Sequence, residues 1–169
     1  MKDVMKATAA AVFTATLALS ATNLFAGGTD NHKHGDEAAG YEHVMNEFGM
    51  YDPGMQATRT IEIDMSDQMR FTPDVINVKK GDVIKFTHKN SGQLMHEFVL
   101  GTPASLDEHA EMMKKFPGME HSEPYMTHVA PGEKGEILWK FSEAGEFAFG
   151  CLVPGHYDAG MKGRVIVGS

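Results

Sequence analysis

The most informative part of this chain is residues 151–161, which read Cys151-Leu152-Val153-Pro154-Gly155-His156-Tyr157-Asp158-Ala159-Gly160-Met161. Three side chains here carry atoms that bind transition metals: the thiolate of Cys151, the imidazole of His156 and the thioether of Met161. Four residues separate each of them from the next. Pro154-Gly155 between the first two is a turn signal that would bring His156 back towards a metal. The spacing therefore predicts that one loop supplies three ligands.

A second imidazole, His96, lies far upstream at the start of a strand-like segment. Two imidazoles, one thiolate and a weakly held thioether are the ligand set of a mononuclear blue-copper site. Copper(I) and copper(II) prefer different geometries, and this set is a compromise that both states tolerate. We therefore predict one copper ion held by His96, Cys151, His156 and Met161, with His96 reaching the site from a neighbouring strand.

Cys151 is the only cysteine of the chain, so it cannot form an internal disulfide. A leftover cysteine in an exported protein suggests a reactive thiol or a bridge to a partner. A metal-bound thiolate is a third explanation, and a buried, inert cysteine is the plain structural alternative. The histidine and methionine at ligand spacing favour the metal.

Residues 1–26 are typical of a secretory signal peptide. They have a basic start at Lys2 and Lys6, an apolar stretch over residues 7–22 and a small residue, Ala26, at the expected cleavage position. The apolar stretch is short and rich in Thr for a membrane span, so we expect no stable membrane insertion. An uncleaved anchor is the alternative. The segment predicts export and a periplasmic location.

The chain is acidic, with a formal net charge of −8 at pH 7. An acidic exported protein is a poor candidate for binding nucleic acid or anionic lipid. Its charge favours metal ions and cationic proteins as partners.

Residues 27–57 are polar and Gly-rich, with scattered His and Met and no sustained period, so we predict a flexible arm with at most a short helix at 41–48. Residues 58–169 instead alternate between polar and apolar positions, with turn signals between the segments. They predict one domain with about seven strands, at 60–65, 75–78, 83–88, 96–100, 136–141, 147–151 and 162–167. A small barrel is the alternative to an all-β sandwich.

One helical insertion interrupts these strands. Ser105-Leu106-Asp107-Glu108 has the pattern of a capping box and predicts a helix that runs to about Phe116. Its buried stripe should comprise Leu106, Ala110, Met113 and Phe116.

Two segments resemble the cupredoxins, a family of small copper proteins. They are Asn90-Ser91-Gly92-Gln93-Leu94-Met95-His96-Glu97-Phe98 and Phe149-Gly150-Cys151-Leu152-Val153-Pro154-Gly155-His156, the latter ending in Gly160-Met161-Lys162-Gly163. The Cys–His–Met spacing is similar to that of rusticyanin. The signal peptide, the arm and the His-Glu-Phe segment most resemble the periplasmic copper-tolerance cupredoxins of the CopI type. The resemblance covers roughly residues 58–169.

This resemblance implies a Greek-key β-sandwich with one type 1 copper bound by His96, Cys151, His156 and Met161. It also implies that the edge of His156 reaches the surface within an apolar patch where a redox protein could dock. Many electron-carrying cupredoxins have Asn or Ser after the upstream histidine, whereas this chain has Glu97. The backbone N–H there can still face the thiolate, but a carboxylate beside the site puts the usual redox tuning in doubt.

Other His and Met residues are candidates for additional, weak copper binding, because thioethers select Cu(I) and imidazoles take either state. Those in and after the insertion are His109, Met112, Met119, His121, Met126 and His128. His109 and Met113 share a helix face, although packing in the core is the more ordinary role for Met113. A lone histidine is more often a solvated surface residue, and we expect this of His88.

Two functions fit these features, and a third is weighed against them. The first is copper tolerance, in which the protein binds periplasmic copper and, in an extended form of the hypothesis, also oxidises it. The extra His and Met residues favour this function. The second is a soluble electron carrier between redox enzymes, which the apolar patch at His156 favours. An enzyme, such as a cuprous oxidase or a nitrite reductase, is not expected, since turnover needs an open metal position and four protein ligands leave little room.

Overall fold

The computed structural model describes residues 41–119 and 121–169, and the predicted signal peptide lies outside them. These residues form two sheets and one helix. The first sheet, in spatial order, contains β1 (Val44–Asn46), β2 (Gly49–Tyr51), β9 (Lys134–Lys140), β6 (Val83–Asn90), β3 (Arg59–Ser66) and β4 (Arg70–Thr72). The second contains β5 (Val75–Lys79), β11 (Lys162–Gly168), β10 (Gly145–Gly150), β7 (His96–Gly101) and β8 (Met126–Val129).

The two sheets pack face to face around an aromatic core. Phe86 of the first sheet meets Phe98 of the second with ring centroids 5.5 Å apart, and Phe71 meets Phe149 at 5.1 Å. Inward-facing side chains alternate with exposed ones along β3 and β11, as a half-buried strand requires. The predicted all-β sandwich with one helical insertion is confirmed.

Both sheets are mixed. β3 pairs in parallel with β6, and β5 pairs in parallel with β11, while all other pairs are antiparallel. In the sequence, β5 lies between β4 and β6, which both belong to the first sheet. β5 itself lies at the edge of the second sheet. In the described part of the chain, no helix is both long and apolar enough to cross a bilayer.

The prediction for residues 41–48 is wrong, because this part of the chain forms a hairpin rather than a helix. β1 pairs with β2, and β2 joins β9 through Met50 and Lys140. The ring of Phe48 stacks on Trp139 at 5.2 Å, and the Trp139 Nε1–H donates to the Phe48 carbonyl at 3.0 Å. The second part of the predicted arm thus belongs to the sandwich, whereas residues 27–40 lie outside the described residues.

His88 is also not the solvated residue that we expected. It is 1% exposed and faces the core from β6, on the same side of the strand as Ile84 and Phe86. Its ring stacks on Phe98 with centroids 4.1 Å apart. Burial lowers its pKa to about 3, because the protonated form would lose its hydration.

The helix α1 (Pro103–Lys115) begins two residues before the predicted capping box. Thr102 is the N-cap, and its hydroxyl accepts from the Ser105 N–H at 3.1 Å while the Ser105 hydroxyl accepts from the Thr102 N–H at 3.0 Å. Leu106, Ala110 and Met113 are buried as predicted. Phe116 lies beyond the helix as its C-cap and is 55% exposed.

Candidate metal centre

The predicted ligands lie at the ends of three strands in the second sheet. His96 begins β7, Cys151 directly follows β10, and Met161 directly precedes β11. β10 pairs with both β7 and β11, so the strand ends meet at one end of the sandwich. The Cys151 N–H donates to the Met161 carbonyl at 3.1 Å, which continues the β10–β11 pairing and closes the loop between them.

Backbone hydrogen bonds inside this loop direct His156 towards Cys151. The His156 N–H donates to the Val153 carbonyl at 3.0 Å, and the Met161 N–H donates to the His156 carbonyl at 3.1 Å. Gly155 has φ of 90°, a left-handed conformation that favours glycine. The Pro154-Gly155 turn therefore has the role that the sequence predicted.

Three ligand atoms, one each from His96, Cys151 and His156, all lie within 4.8 Å of one another. The Cys151 Sγ is 3.4 Å from the His156 Nδ1, and the two imidazole rings have centroids 5.1 Å apart. His96 and Cys151 are fully buried, while His156 is partly exposed. The structure thus brings the donor atoms of His96, Cys151 and His156 close enough for one metal ion to contact all three.

The imidazole of His96 is fixed by a carboxylate that the sequence analysis missed. Its Nε2 lies 3.1 Å from Asp67 Oδ1, and Asp67 accepts from the backbone N–H groups of Gln93 at 2.7 Å and Leu94 at 3.2 Å. The first of these bonds contributes most to holding the pKa of Asp67 below its ordinary value. This orientation leaves the His96 Nδ1, which is buried and has no hydrogen-bond partner in the described chain, for the metal.

The surroundings of Cys151 suit a metal-bound thiolate better than an unbound thiol in the core. Burial raises its pKa to about 12, so the thiol stays protonated at neutral pH without a cation. The Glu97 N–H donates to Sγ at 3.3 Å, which favours the thiolate once a cation has displaced the proton. The unpartnered His96 nitrogen and this buried thiol are together a donor set suited to a soft metal ion.

Glu97 keeps the backbone role that its position implies, and its carboxylate makes other contacts. The side chain is fully buried. Its Oε1 lies 3.1 Å from His128 Nε2, and its Oε2 accepts from the Leu152 N–H at 3.3 Å. The carboxylate therefore ties the loop after β10 to β8, and His128 is engaged with Glu97.

Met161 is fully buried beside this cluster, between the backbone of Cys151 and that of His156. Its place in the fold is the one that the spacing implied. Its role as the weak fourth ligand stays a prediction.

The structure divides the other candidate copper ligands into three groups. His109 and His121 come together, with ring centroids 4.7 Å apart, and they line one groove with Met112 and Met119. Met126 is buried in a small core with Leu106 and Met113 and does not line that groove. His128 pairs with Glu97.

Comparison with known proteins agrees with this geometry. A family model described as copper-binding proteins of the plastocyanin/azurin family matches residues 57–168. A copper-resistant cuproprotein CopI of Rubrivivax gelatinosus is 46% identical over 138 residues, which are 80% of this chain and 84% of that protein. The protein of the same name from Vibrio cholerae is 31% identical over 86% of this chain and 90% of its own length.

The chain is a cupredoxin of the CopI family. Solved structures with similar folds include a reduced auracyanin from Roseiflexus castenholzii, which matches with a TM-score of 0.58, 23% identity, and coverage of 68% of this chain and 100% of that one. An azurin from Methylomonas matches with a TM-score of 0.55 and 18% identity, over 67% of this cupredoxin and 100% of the azurin. The expected resemblance and fold class are confirmed, and copper is the metal of this family.

Proposed function

We propose that this cupredoxin is a periplasmic type 1 copper protein that serves in copper tolerance by binding copper. The observation that carries the proposal is the cluster of His96, Cys151 and His156, whose ligand atoms lie within 4.8 Å of one another. Met161 would complete the set as a weakly bound fourth ligand. The relatives are named copper-resistant cuproproteins, which supports the tolerance role.

The residues around the site perform distinct tasks. Asp67 orients His96, the Glu97 N–H faces the thiolate, and the closed loop between Cys151 and Met161 fixes the ligand positions before a metal arrives. Copper bound there supplies one-electron chemistry. A preformed and mostly buried site limits rearrangement and access of water, whereas the partly exposed His156 offers a short path for electrons.

A second function, electron transfer between redox proteins, is favoured by exposed apolar side chains near the site. Leu94 is 46% exposed and Met95 is 41% exposed, and both directly precede His96. A redox protein that docks there would lie next to the exposed edge of His156. Oxidation of substrate Cu(I) is a finer hypothesis within the tolerance proposal, and it requires such an electron acceptor. We do not expect the four-ligand site itself to turn over other substrates.

Growth of a deletion strain across a copper series tests the proposal. The strain should be copper-sensitive, the intact gene should restore growth, and Cys151→Ser should not restore it although the protein folds. Met113→Leu is the matched control, because it replaces one buried apolar side chain of the helix with another and removes no predicted ligand of the site, and it should restore growth. Normal copper resistance in the deletion strain, with a respiratory defect instead, would reject tolerance in favour of electron transfer.

A further inference from the structure

The turn between β3 and β4 places the carboxylate of Asp67 against the buried imidazole of His96. Asp67 Oδ1 lies 3.1 Å from His96 Nε2. A neutral imidazole carries one ring proton, and an accepting carboxylate at Nε2 keeps that proton there, so Nδ1 retains its lone pair. The Asp67 side chain is 36% exposed, whereas that of His96 is fully buried. A charged group in contact with water therefore lies one hydrogen bond away from a predicted copper ligand.

The loop that leads into β7 is shaped around this carboxylate. The N–H groups of Gln93 and Leu94 donate to it at 2.7 Å and 3.2 Å. A Cβ atom on Gly92 would lie only 2.0 Å from Asp67 Oδ1, so a side chain at this position would displace the carboxylate. Two backbone donors and the space left by a glycine thus hold Asp67 in one place against the ring of His96.

No basic side chain other than His96 offsets the charge of Asp67 at short range in the described part of the chain. His96 is the one basic residue there with a nitrogen within 4.0 Å of the carboxylate. Arg70 begins β4 directly after this turn, but its Nη1 donates to the carbonyl of Ala159 in the ligand loop at 3.1 Å. The negative charge of Asp67 therefore acts mainly on His96 and on the metal that His96 would bind.

We propose that Asp67 is a positioning residue that biases the type 1 centre towards Cu(II), an inference that rests on the proposed function. A hydrogen bond to a carboxylate makes the imidazole of His96 a stronger electron donor. Cu(II) carries one more positive charge than Cu(I), so it gains more from this donor and from the negative charge behind it. Removal of the charge should therefore weaken the binding of Cu(II) more than that of Cu(I) and raise the reduction potential.

A bias towards Cu(II) opposes the effect of Met161, whose thioether would favour Cu(I). It acts in the direction that oxidation of copper at this site requires. A lower reduction potential makes bound Cu(I) a better electron donor: it gives one electron to a docked redox protein and stays in the site as Cu(II). Asp67 also holds the backbone of Leu94, whose exposed side chain belongs to the surface where such a protein would dock.

Asp67→Asn in the full chain tests the charge, because the amide keeps the shape of the side chain and an oxygen that accepts from His96 Nε2. Competition with chelators measures the affinities for Cu(II) and Cu(I), and protein-film voltammetry measures the reduction potential. The variant should keep the thiolate-to-copper absorption band but bind Cu(II) roughly 10–100-fold more weakly, as is typical when an outer-sphere partner is lost. The potential should rise by about 59 mV for each tenfold by which Cu(II) affinity falls more than Cu(I) affinity.

Asp64→Asn is the matched control for the loss of one negative charge. Asp64 Oδ2 accepts from the Ser91 hydroxyl at 2.7 Å rather than from a predicted ligand, so this variant should shift the potential much less. An unchanged potential in Asp67→Asn, or an equal rise in Asp64→Asn, would overturn the inference while leaving the type 1 assignment intact. A copper-loaded natural protein without the absorption band would instead reject the proposed function, and this inference with it.

Asp67→Ala tests the positioning of His96 without copper. In nitrogen nuclear magnetic resonance spectra of the metal-free natural protein, His96 should carry its proton at Nε2. Asp67→Ala removes the acceptor and should give a mixture of the Nε2–H and Nδ1–H forms, while circular dichroism and the urea midpoint verify the fold. The same single form in both proteins would show that Asp67 does not position the ring.

Discussion

At the scale of single residues, the thiol of Cys151 should couple copper binding to proton release. Burial raises its pKa to about 12, so it is protonated before copper binds and must lose its proton to become a ligand. We expect that loading of the type 1 site releases a proton in weakly buffered solution and produces a strong visible band from thiolate-to-copper charge transfer. Cys151→Ser should abolish both signals. A full-strength band in that variant would contradict the assignment.

Met161 provides a second test at this scale. A thioether stabilises Cu(I) relative to Cu(II), so replacing it with an amide oxygen should lower the reduction potential and leave a coloured site. Protein-film voltammetry of Met161→Gln measures this change. Met45→Leu, which replaces an exposed thioether of β1 that is not a predicted ligand, is the control and should keep the natural potential. If Met161→Gln also keeps it, Met161 is not a ligand.

The buried imidazole of His88 predicts a component of acid sensitivity. Its pKa is about 3 in the folded protein but about 6.5 when unfolded, so the unfolded chain binds an extra proton between these values. The contribution of this group to the free energy of unfolding is therefore complete above pH 6.5. It falls by about 1.4 kcal/mol per pH unit as the pH decreases towards 3. His88→Phe should remove this component. Between pH 7 and pH 5, the free energy of unfolding measured in urea should decrease by about 2 kcal/mol less in the variant than in the natural protein.

At the scale of elements, the β1–β2 hairpin stabilises the sandwich through the buried ring of Phe48, which contacts Trp139 and Tyr125. Phe48 is 5% exposed and stacks on Trp139. Phe48→Ala should lower the free energy of unfolding by about 3 kcal/mol, because it removes buried area and leaves a cavity. Met45→Ala, in the same hairpin but 71% exposed, should change it by less than about 0.5 kcal/mol. Equal effects of the two variants in urea unfolding would show that the hairpin does not pack as described.

Element length explains which parts of the fold were predictable. The strands β3, β6, β9 and β11 have seven or eight residues and show their alternation in the sequence. β1, β2 and β4 have three residues each, too few for a period to emerge. In β4, Phe71 is buried against Phe149 of the other sheet. Such short strands depend on tertiary partners rather than on local pattern.

The same distinction applies to the metal centre. Cys151 and His156 were predictable because one loop carries them at regular spacing, and their proximity follows from local backbone hydrogen bonds. Asp67 lies 29 residues before His96 in the chain, in a turn with no ligand pattern. The pairing of His109 with His121 likewise depends on how the chain returns beside the helix. Contacts between residues of separate elements leave no periodic pattern in the sequence, so the sequence does not predict them.

At the scale of the whole molecule, net charge and the apolar surface at the copper end should act at different stages of an encounter. The formal charge of −8 attracts a cationic partner over distances set by the Debye length, about 30 Å at 0.01 M salt and about 8 Å at 0.15 M. The exposed side chains of Leu94 and Met95 then provide a local contact that salt does not weaken in the same way.

Electron exchange measured by stopped flow separates these contributions. With a small cationic redox protein, the second-order rate of the copper-loaded cupredoxin should fall as salt increases, and with an anionic one it should rise. Leu94→Ser/Met95→Ser should slow exchange with both proteins at every salt concentration, because it reduces the apolar contact beside His156 without changing the charge. Glu143→Gln, an exposed change in the turn before β10, is the control and should alter only the salt dependence. A double variant with unchanged rates would place the electron-transfer surface elsewhere on the molecule.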